Sequence, residues 1–197
     1  MGSRLVHGVG INDADYPVTK NETVNGKSRQ LWRCPFYFKW KALLERCYSP
    51  KSLSRFRTYE HTTVCDEWLT FSNFKAWMET QDWEGKYLDK DYLKEGSKVY
   101  SPETCVFVTN KINCFINDQN LRRGDGFLTG AYKVYDKYKA LCNNPFTNEG
   151  EYLGMFNTEL DAHLAWKRRK HELACMLVES GETTDERVIN ILLEKYK

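Results

Sequence analysis

The sequence lacks any uninterrupted apolar run near the ~18 residues needed to cross a bilayer, and its opening residues hold no apolar core followed by a cleavage motif. Neither insertion nor export is indicated, so a cytoplasmic protein with no membrane partner is expected. Paired cysteines are missing as well. The seven cysteines, Cys34, Cys47, Cys65, Cys105, Cys114, Cys142 and Cys175, are odd in number and contain no C-x-x-C pair. That argues against a disulfide framework and for a reducing compartment, where buried free thiols are the ordinary outcome. A zinc site from Cys47, Cys65 and Cys105 stays open, although structural zinc sites usually show two close pairs. A large net charge is also absent, since 29 Lys and Arg against 27 Asp and Glu leave +2. Attraction to a polyanion must therefore come from where charge sits rather than from its sum.

What the chain does have is aromatic bulk. Hydrophobic residues make up 41% and aromatics 14%, with six Trp and twelve Tyr, which suits a packed core rather than a disordered chain. Its 197 residues fit two compact units. Charge is unevenly spread along them. Between residues 27 and 57 stand nine cations (Lys27, Arg29, Arg33, Lys39, Lys41, Arg46, Lys51, Arg55 and Arg57) against Glu45 alone, a local balance of +8. A solvated helix face usually mixes signs, so this segment reads as an electrostatic footprint for nucleic acid, with a solvated face as the bland alternative. Arg33, Lys39, Lys41, Arg46, Arg55 and Arg57 are its candidate DNA contacts, joined further along by Arg122 and Arg123.

Periodicity places the elements and points to an α+β fold. Residues 1–30 are rich in Gly, Asn, Asp and Thr without helical or alternating apolar spacing, so an extended arm is expected. Pro35 opens a helix that gathers Phe36, Trp40, Leu43, Leu44 and Cys47 on one face and stops at Ser49-Pro50. A strand-like segment at 62–68 precedes a short helix carrying Phe74, Trp77 and Met78. Residues 87–117 read as strand, turn at Glu95-Gly96-Ser97, strand at 105–108, then helix. A linker at 118–129 leads to strands within 131–142 and 151–156, joined by a turn-rich 143–150. Alternation turns Tyr138, Ala140 and Cys142 inward and Lys139, Leu141 and Asn143 outward. Thr158 to Asp161 forms a capping-box signal for a helix reaching about residue 179, its apolar face at Leu160, Leu164, Cys175, Leu177 and Val178 with help from Ala165 and Ala174. In that helix the run Lys167-Arg168-Arg169-Lys170 reads as an exposed face. A last helix, capped by Thr183 and Glu186, presents Val188, Ile189, Leu192, Leu193 and Tyr196 to the body or to a second copy. A homodimer through it is one expectation.

Four motifs carry a family resemblance. RCYSPK at 46–51, TVCDEW at 63–68, LDKD at 88–91 and YSPETCVFVTNKIN at 100–113 together resemble phage-encoded HNH, or homing, endonucleases. GAYKVYDKYKAL at 130–141 and EYLGMFNTELDAHLAW at 151–166 resemble the three-stranded antiparallel sheet plus helix of the plant ethylene-response-factor DNA-binding domain. The resemblance implies a degenerate ββα HNH-like core with N-terminal helices at 31–117, a sheet-plus-helix DNA-binding domain at 130–180, a C-terminal helix at 181–197 and a mobile-element origin in a bacterial host. The HNH pattern places Asp-His at the end of the first strand, Asn on the second, and His or Asn on the helix. Asp89 and Asn113 match it, while Lys90 stands where the His belongs and Thr104 where the middle Asn belongs.

The Lys90 departure bears on catalysis. Acting as a base near pH 7 would require its pKa to fall roughly three units from about 10.4, a cost of about 4 kcal/mol, and carboxylates at Asp89 and Asp91 push the other way. None of His7, His61, His163 and His171 belongs to the hairpin, and His61 is the one placed to approach it in space. The expected function is sequence-specific binding of double-stranded DNA without cleavage, acting by site occupancy as a repressor does and needing no cofactor. The alternative is an active Mg²⁺-dependent HNH-type nicking endonuclease with the ion on Asp89, Asp91 and Asn113, and the bland reading is a structural or protein-interaction module. On the C-terminal sheet the candidate DNA contacts are Lys139 and Asn143 by alternation, Tyr132 and Tyr152 by carry-over from the plant domain, and the neighbouring Lys133 and Lys137.

Overall fold

The computed structural model describes residues 5–94, 96–117 and 126–197. Arg122, Arg123, Glu95 and most of the expected linker lie outside the described residues. The chain forms two compact units of mixed α and β structure. The first comprises Met1–Glu84 and Leu88–Val106, and the second comprises Gly85–Tyr87 and Phe107–Lys197. The changeover therefore falls within the apolar run at 106–108 rather than in the expected linker at 118–129. Its cause is the helix after that run, which buries Ile112, Phe115 and Ile116 and sets Phe115 edge-on to Tyr196, 5.6 Å between centroids.

In the first unit the expected arm is folded. Residues 6–10 make a tight turn closed by Val6 N–H to Gly10 O at 2.8 Å, and Asp13 Oδ1 accepts from Ser72 N–H at 2.9 Å. A side chain on Gly10 would run into Trp40 and Leu44, so this segment packs flush on the helical core. Strands β1 (Thr19–Val24) and β2 (Lys27–Arg33) then form an antiparallel hairpin. Its turn is Asn25-Gly26, both at positive φ, the conformation favoured in two-residue hairpin turns.

Helix α1 (Pro35–Tyr48) begins at the predicted proline and buries Trp40, Leu43, Leu44 and Cys47. The short helix α2 (Pro50–Arg55) and a 3₁₀ turn at Arg57–Tyr59 follow. Strand β3 (Thr63–Val64) is shorter than expected, because a 3₁₀ turn at Asp66–Leu69 takes over the rest of TVCDEW and buries Trp68. Helix α3 (Phe71–Glu79) buries Phe71, Phe74 and Met78 and leaves Trp77 half-buried. Trp40 Nε1 donates to Trp68 O at 2.6 Å, satisfying a polar group in an otherwise apolar centre.

The expected strand-turn-strand-helix unit is more elaborate. Strands β4 (Tyr87–Asp89) and β6 (Val106–Val108) pair as a two-stranded sheet, and α4 (Asn110–Asn117) follows. Between them β5 (Val99–Tyr100) runs parallel to β3, a non-local pairing that no local sequence pattern announces.

The second unit holds a three-stranded antiparallel sheet in the order β7 (Ala131–Val134), β8 (Lys137–Asn144), β9 (Glu149–Phe156), backed by α5 (Glu159–Glu179). Thr158 caps α5 by accepting from Asp161 N–H at 3.1 Å, as the sequence predicts. The buried face of α5 keeps the expected Ala165, Ala174 and Leu177 but differs elsewhere. It is Ala162, Ala165, Trp166, Lys170, Leu173, Ala174 and Leu177, whereas Leu160 and Leu164 are exposed. Small alanines let the helix lie close on the sheet, and Trp166 fills the space beside Gly130, where a Cβ would meet its ring at 2.1 Å. Helix α6 (Glu186–Lys195) is capped by Asp185 instead of Thr183 and packs Val188, Leu192 and Tyr196 into this unit.

Candidate nucleic-acid interface

The basic segment was the first sequence expectation, and most of its charge faces solvent. Lys27, Arg29, Arg33, Lys41, Lys51, Arg55 and Arg57 are exposed. Two members behave differently. Arg46 is half-buried and donates to the Tyr100 hydroxyl at 3.0 Å with Tyr59 beneath it, so part of its guanidinium is engaged inside the fold. Lys39 is half-buried too, and burial draws its ammonium below the usual lysine range. Arg33 lies over Phe38 at 4.8 Å and Arg55 over Phe56 at 5.2 Å. Such contacts hold a guanidinium in place without spending its hydrogen-bond donors.

The second candidate surface is the outward side of β7–β9. Cross-strand register sets it: Tyr132 opposes Lys139, Val134 opposes Lys137, Lys139 opposes Met155, Leu141 opposes Tyr152 and Asn143 opposes Gly150. The inner side carries Ala131, Tyr138, Ala140 and Cys142, as alternation predicts, packed on α5. A bulge at Ala140/Leu141 leaves that alternation intact along β8. Lys133, a neighbouring candidate, falls on the inner side at the sheet margin, opposite Tyr138, and is exposed there. On the outward side Lys139 Nζ sits 5.9 Å from the Tyr132 ring, Tyr152 is 62% exposed and Met155 42%. The strands place no carboxylate there. Glu149 and Glu151 oppose inner residues Asn144 and Cys142, and Glu151 is clamped by Arg169 at 2.6 and 3.0 Å.

The Lys167–Lys170 run is not a uniform exposed face. Arg169 is spent on Glu151 and Glu172, which leaves Arg168 exposed. Lys170 is fully buried, donating to Phe115 O at 2.7 Å and lying 3.7 Å from the Phe115 ring centroid with Tyr196 and Trp166 nearby. It is a structural cation held by a carbonyl and three aromatic rings.

At the HNH-like positions the geometry favours internal pairing. Lys90, only 7% exposed, pairs with Asp91 Oδ1 at 2.6 Å and approaches the Tyr100 ring at 5.7 Å. Asp89 Oδ1 accepts from Asp91 N–H at 2.7 Å. Burial raises the Asp89 pKa, opposed by that hydrogen bond and reinforced by Asp91. Thr104 Oγ1 donates to Val99 O at 2.7 Å and so braces a loop. Asn113 belongs to the second unit, where its Oδ1 accepts from Asn117 at 2.8 Å. His61 is exposed on a turn at positive φ.

Among the described residues no three His, Cys, Asp or Glu side chains gather as a metal-binding group. Burial pushes the Cys47 thiol up to about 11 and the Cys105 thiol up to about 12, so without a metal both are held as neutral thiols.

Compared with known protein families, curated proteins and solved structures, the chain matches none.

The residues that sequence reasoning passed over are the polar ones of the β1–β2 hairpin, Lys20, Asn21, Thr23 and Gln30, whereas Lys27 and Arg29 entered it only as charge and not as parts of a ribbon. The signal that finds them is Asn25-Gly26, the strongest short-range mark of a hairpin. It stood alone because a strand pair with no buried side has no apolar alternation to show.

Proposed function

We propose that the protein binds double-stranded DNA sequence-specifically and acts by occupying its site, as a repressor does, without cutting. The observation that carries this reading is the exposure of seven cations between residues 27 and 57, where Glu45 is the lone anion of the segment. Exposed Lys and Arg neutralise phosphates and hold a protein on the duplex, whereas base-edge contacts supply specificity. The carboxylate-free side of β7–β9, with Lys137, Lys139, Asn143, Tyr132 and Tyr152, suits the second task. Descent from an HNH-type homing endonuclease, with an ethylene-response-factor-like second unit, is part of the same reading and rests on the motifs at 46–51, 63–68, 88–91 and 100–113.

The reading without cleavage is supported by how Lys90 is used. It stands at the general-base position and is ion-paired with Asp91, while Asp89 is engaged by its own turn. Gel retardation of duplex DNA combined with a plasmid-nicking assay in Mg²⁺ or Mn²⁺ tests both halves. Retardation without nicking is expected. Nicking that disappears in Asp89→Ala would replace the reading with a metal-dependent endonuclease, and no retardation at low salt would leave a protein-interaction module.

A further inference from the structure

The β1–β2 hairpin has no buried residue in either strand, and every residue of Lys27–Arg33 is exposed. A two-stranded ribbon in water is marginal without an apolar face to bury, so its sequence answers to something other than a core. Its register sorts the side chains into two unlike faces. The pairs are Thr19 with Arg33, Lys20 with Trp32, Asn21 with Gln30, Glu22 with Arg29, Thr23 with Ser28 and Val24 with Lys27, with Leu31 as the bulged residue. Alternation from these pairs puts Lys20, Glu22, Val24, Lys27, Arg29 and Trp32 on one side. The other side is Thr19, Asn21, Thr23, Ser28, Gln30 and Arg33, where every paired side chain donates or accepts hydrogen bonds and none is acidic, while the bulged Leu31, 58% exposed, falls outside the alternation.

We infer that this ribbon enters the major groove of duplex DNA and reads base edges with its Asn21–Gln30 face, a second reading element in addition to the β7–β9 sheet. The inference rests on the proposed DNA-binding function. A major groove about 12 Å wide admits a two-stranded ribbon, whose strands lie about 4.8 Å apart. Asn and Gln offer a paired donor and acceptor that match adenine N6 and N7, Ser and Thr serve any base, and Arg suits guanine. The cross-strand pairing of Asn21 with Gln30 sets two such groups side by side. Lys27 and Arg29, near the tip, are placed for the phosphates flanking the groove, and the excess of cations over Glu22 gives the ribbon the sign its occupant requires. Bulge and turn fix the geometry, the bulge at Lys20/Asn21 adding twist.

The test is selection of bound duplexes from a random pool with wild-type protein and with the double variant Asn21→Ala/Gln30→Ala. Both side chains are exposed, so the variant should keep the wild-type melting temperature. The wild-type motif should contain adenines at which the variant discriminates about tenfold less per lost pair. Replacing those adenines by 7-deazaadenine should weaken the wild type and leave the variant unaffected. Identical motifs from both proteins overturn the groove-reading role while leaving DNA binding standing. A wild-type protein that sediments as a dimer and becomes monomeric with Asn21→Pro overturns it in favour of strand pairing with a second copy. Failure of the wild type to retain any duplex at low salt overturns the functional reading itself, and the ribbon's role with it.

Discussion

The β1–β2 ribbon and the β7–β9 sheet expose similar chemistry on opposite foundations. The sheet gives one side to α5 and a core of Ala131, Ala140, Ala162 and Ala165, and presents Lys139, Tyr152 and Met155 on the other. The ribbon buries neither side and is anchored at its base, where Cys34 N–H donates to Val18 O at 2.8 Å and Lys20 lies over Trp32 at 5.8 Å. Substitutions on the sheet therefore mix stability with function. Those on the ribbon isolate function, because almost nothing of the fold depends on its side chains.

Two glycines at positive φ put that difference to its hardest test. Gly130→Ala forces a Cβ into Trp166, and we expect a loss of several kcal/mol from the second unit, seen as a lower urea midpoint. Gly26→Ala, with nothing within 4 Å of the new Cβ, should cost about 1 kcal/mol and only within the ribbon. Amide exchange in β1–β2 would quicken while the main urea transition stays put. Equal global effects from the two would erase the contrast.

Next in size is Lys170→Ala. It removes a buried side chain and leaves Phe115 O without its 2.7 Å donor, so a loss of about 3 kcal/mol is expected in chemical denaturation. Smaller and functional is the comparison of Arg55→Ala/Arg57→Ala with Lys139→Ala. The first pair should weaken binding to all duplexes alike and reduce the salt slope by roughly 2, about 1 per lost cation. Lys139→Ala should change the ranking of sequences instead. Uniform weakening from both would mean the sheet grips DNA without reading it.

The smallest expected effect concerns Asp89. Burial raises its folded pKa above the unfolded value, so the native state holds its proton more tightly. Its contribution is favourable below the unfolded pKa and is lost as pH rises through the raised folded value. Asp89→Asn, which keeps an oxygen to accept from Asp91 N–H, should be more stable than wild type at pH 7. That advantage should shrink as pH falls toward 4. A variant less stable at pH 7 would show that the charged carboxylate is held by a partner.

The sequence made α1, α3 and α5 visible because each has a strong signal: Pro35 with the Trp40/Leu43/Leu44/Cys47 stripe, the Phe74 to Met78 cluster, and the Thr158 cap. The inner row of β8 was equally plain from alternation. Hidden features had no local cause to display. The β3–β5 parallel pair depends on residues 36 positions apart, and Arg46 and Lys170 read as surface cations until the aromatic rings that enclose them are brought together by the fold. The α5 face is legible at Ala165, Ala174 and Leu177 and misread at its start, because Leu160 and Leu164 outrank Ala162 in hydropathy whereas close packing on a sheet favours the alanine. The ribbon carried only its turn signal, since chemistry facing solvent leaves no apolar period.

The central claim is that the exposed cations of residues 27–57 grip a duplex. Its most direct measurement is the salt dependence of binding to a labelled random-sequence duplex, followed by fluorescence anisotropy. With up to seven phosphates neutralised, log K should fall linearly with log salt with a slope as steep as about −6. A slope near zero, or no binding in dilute salt, would contradict the account.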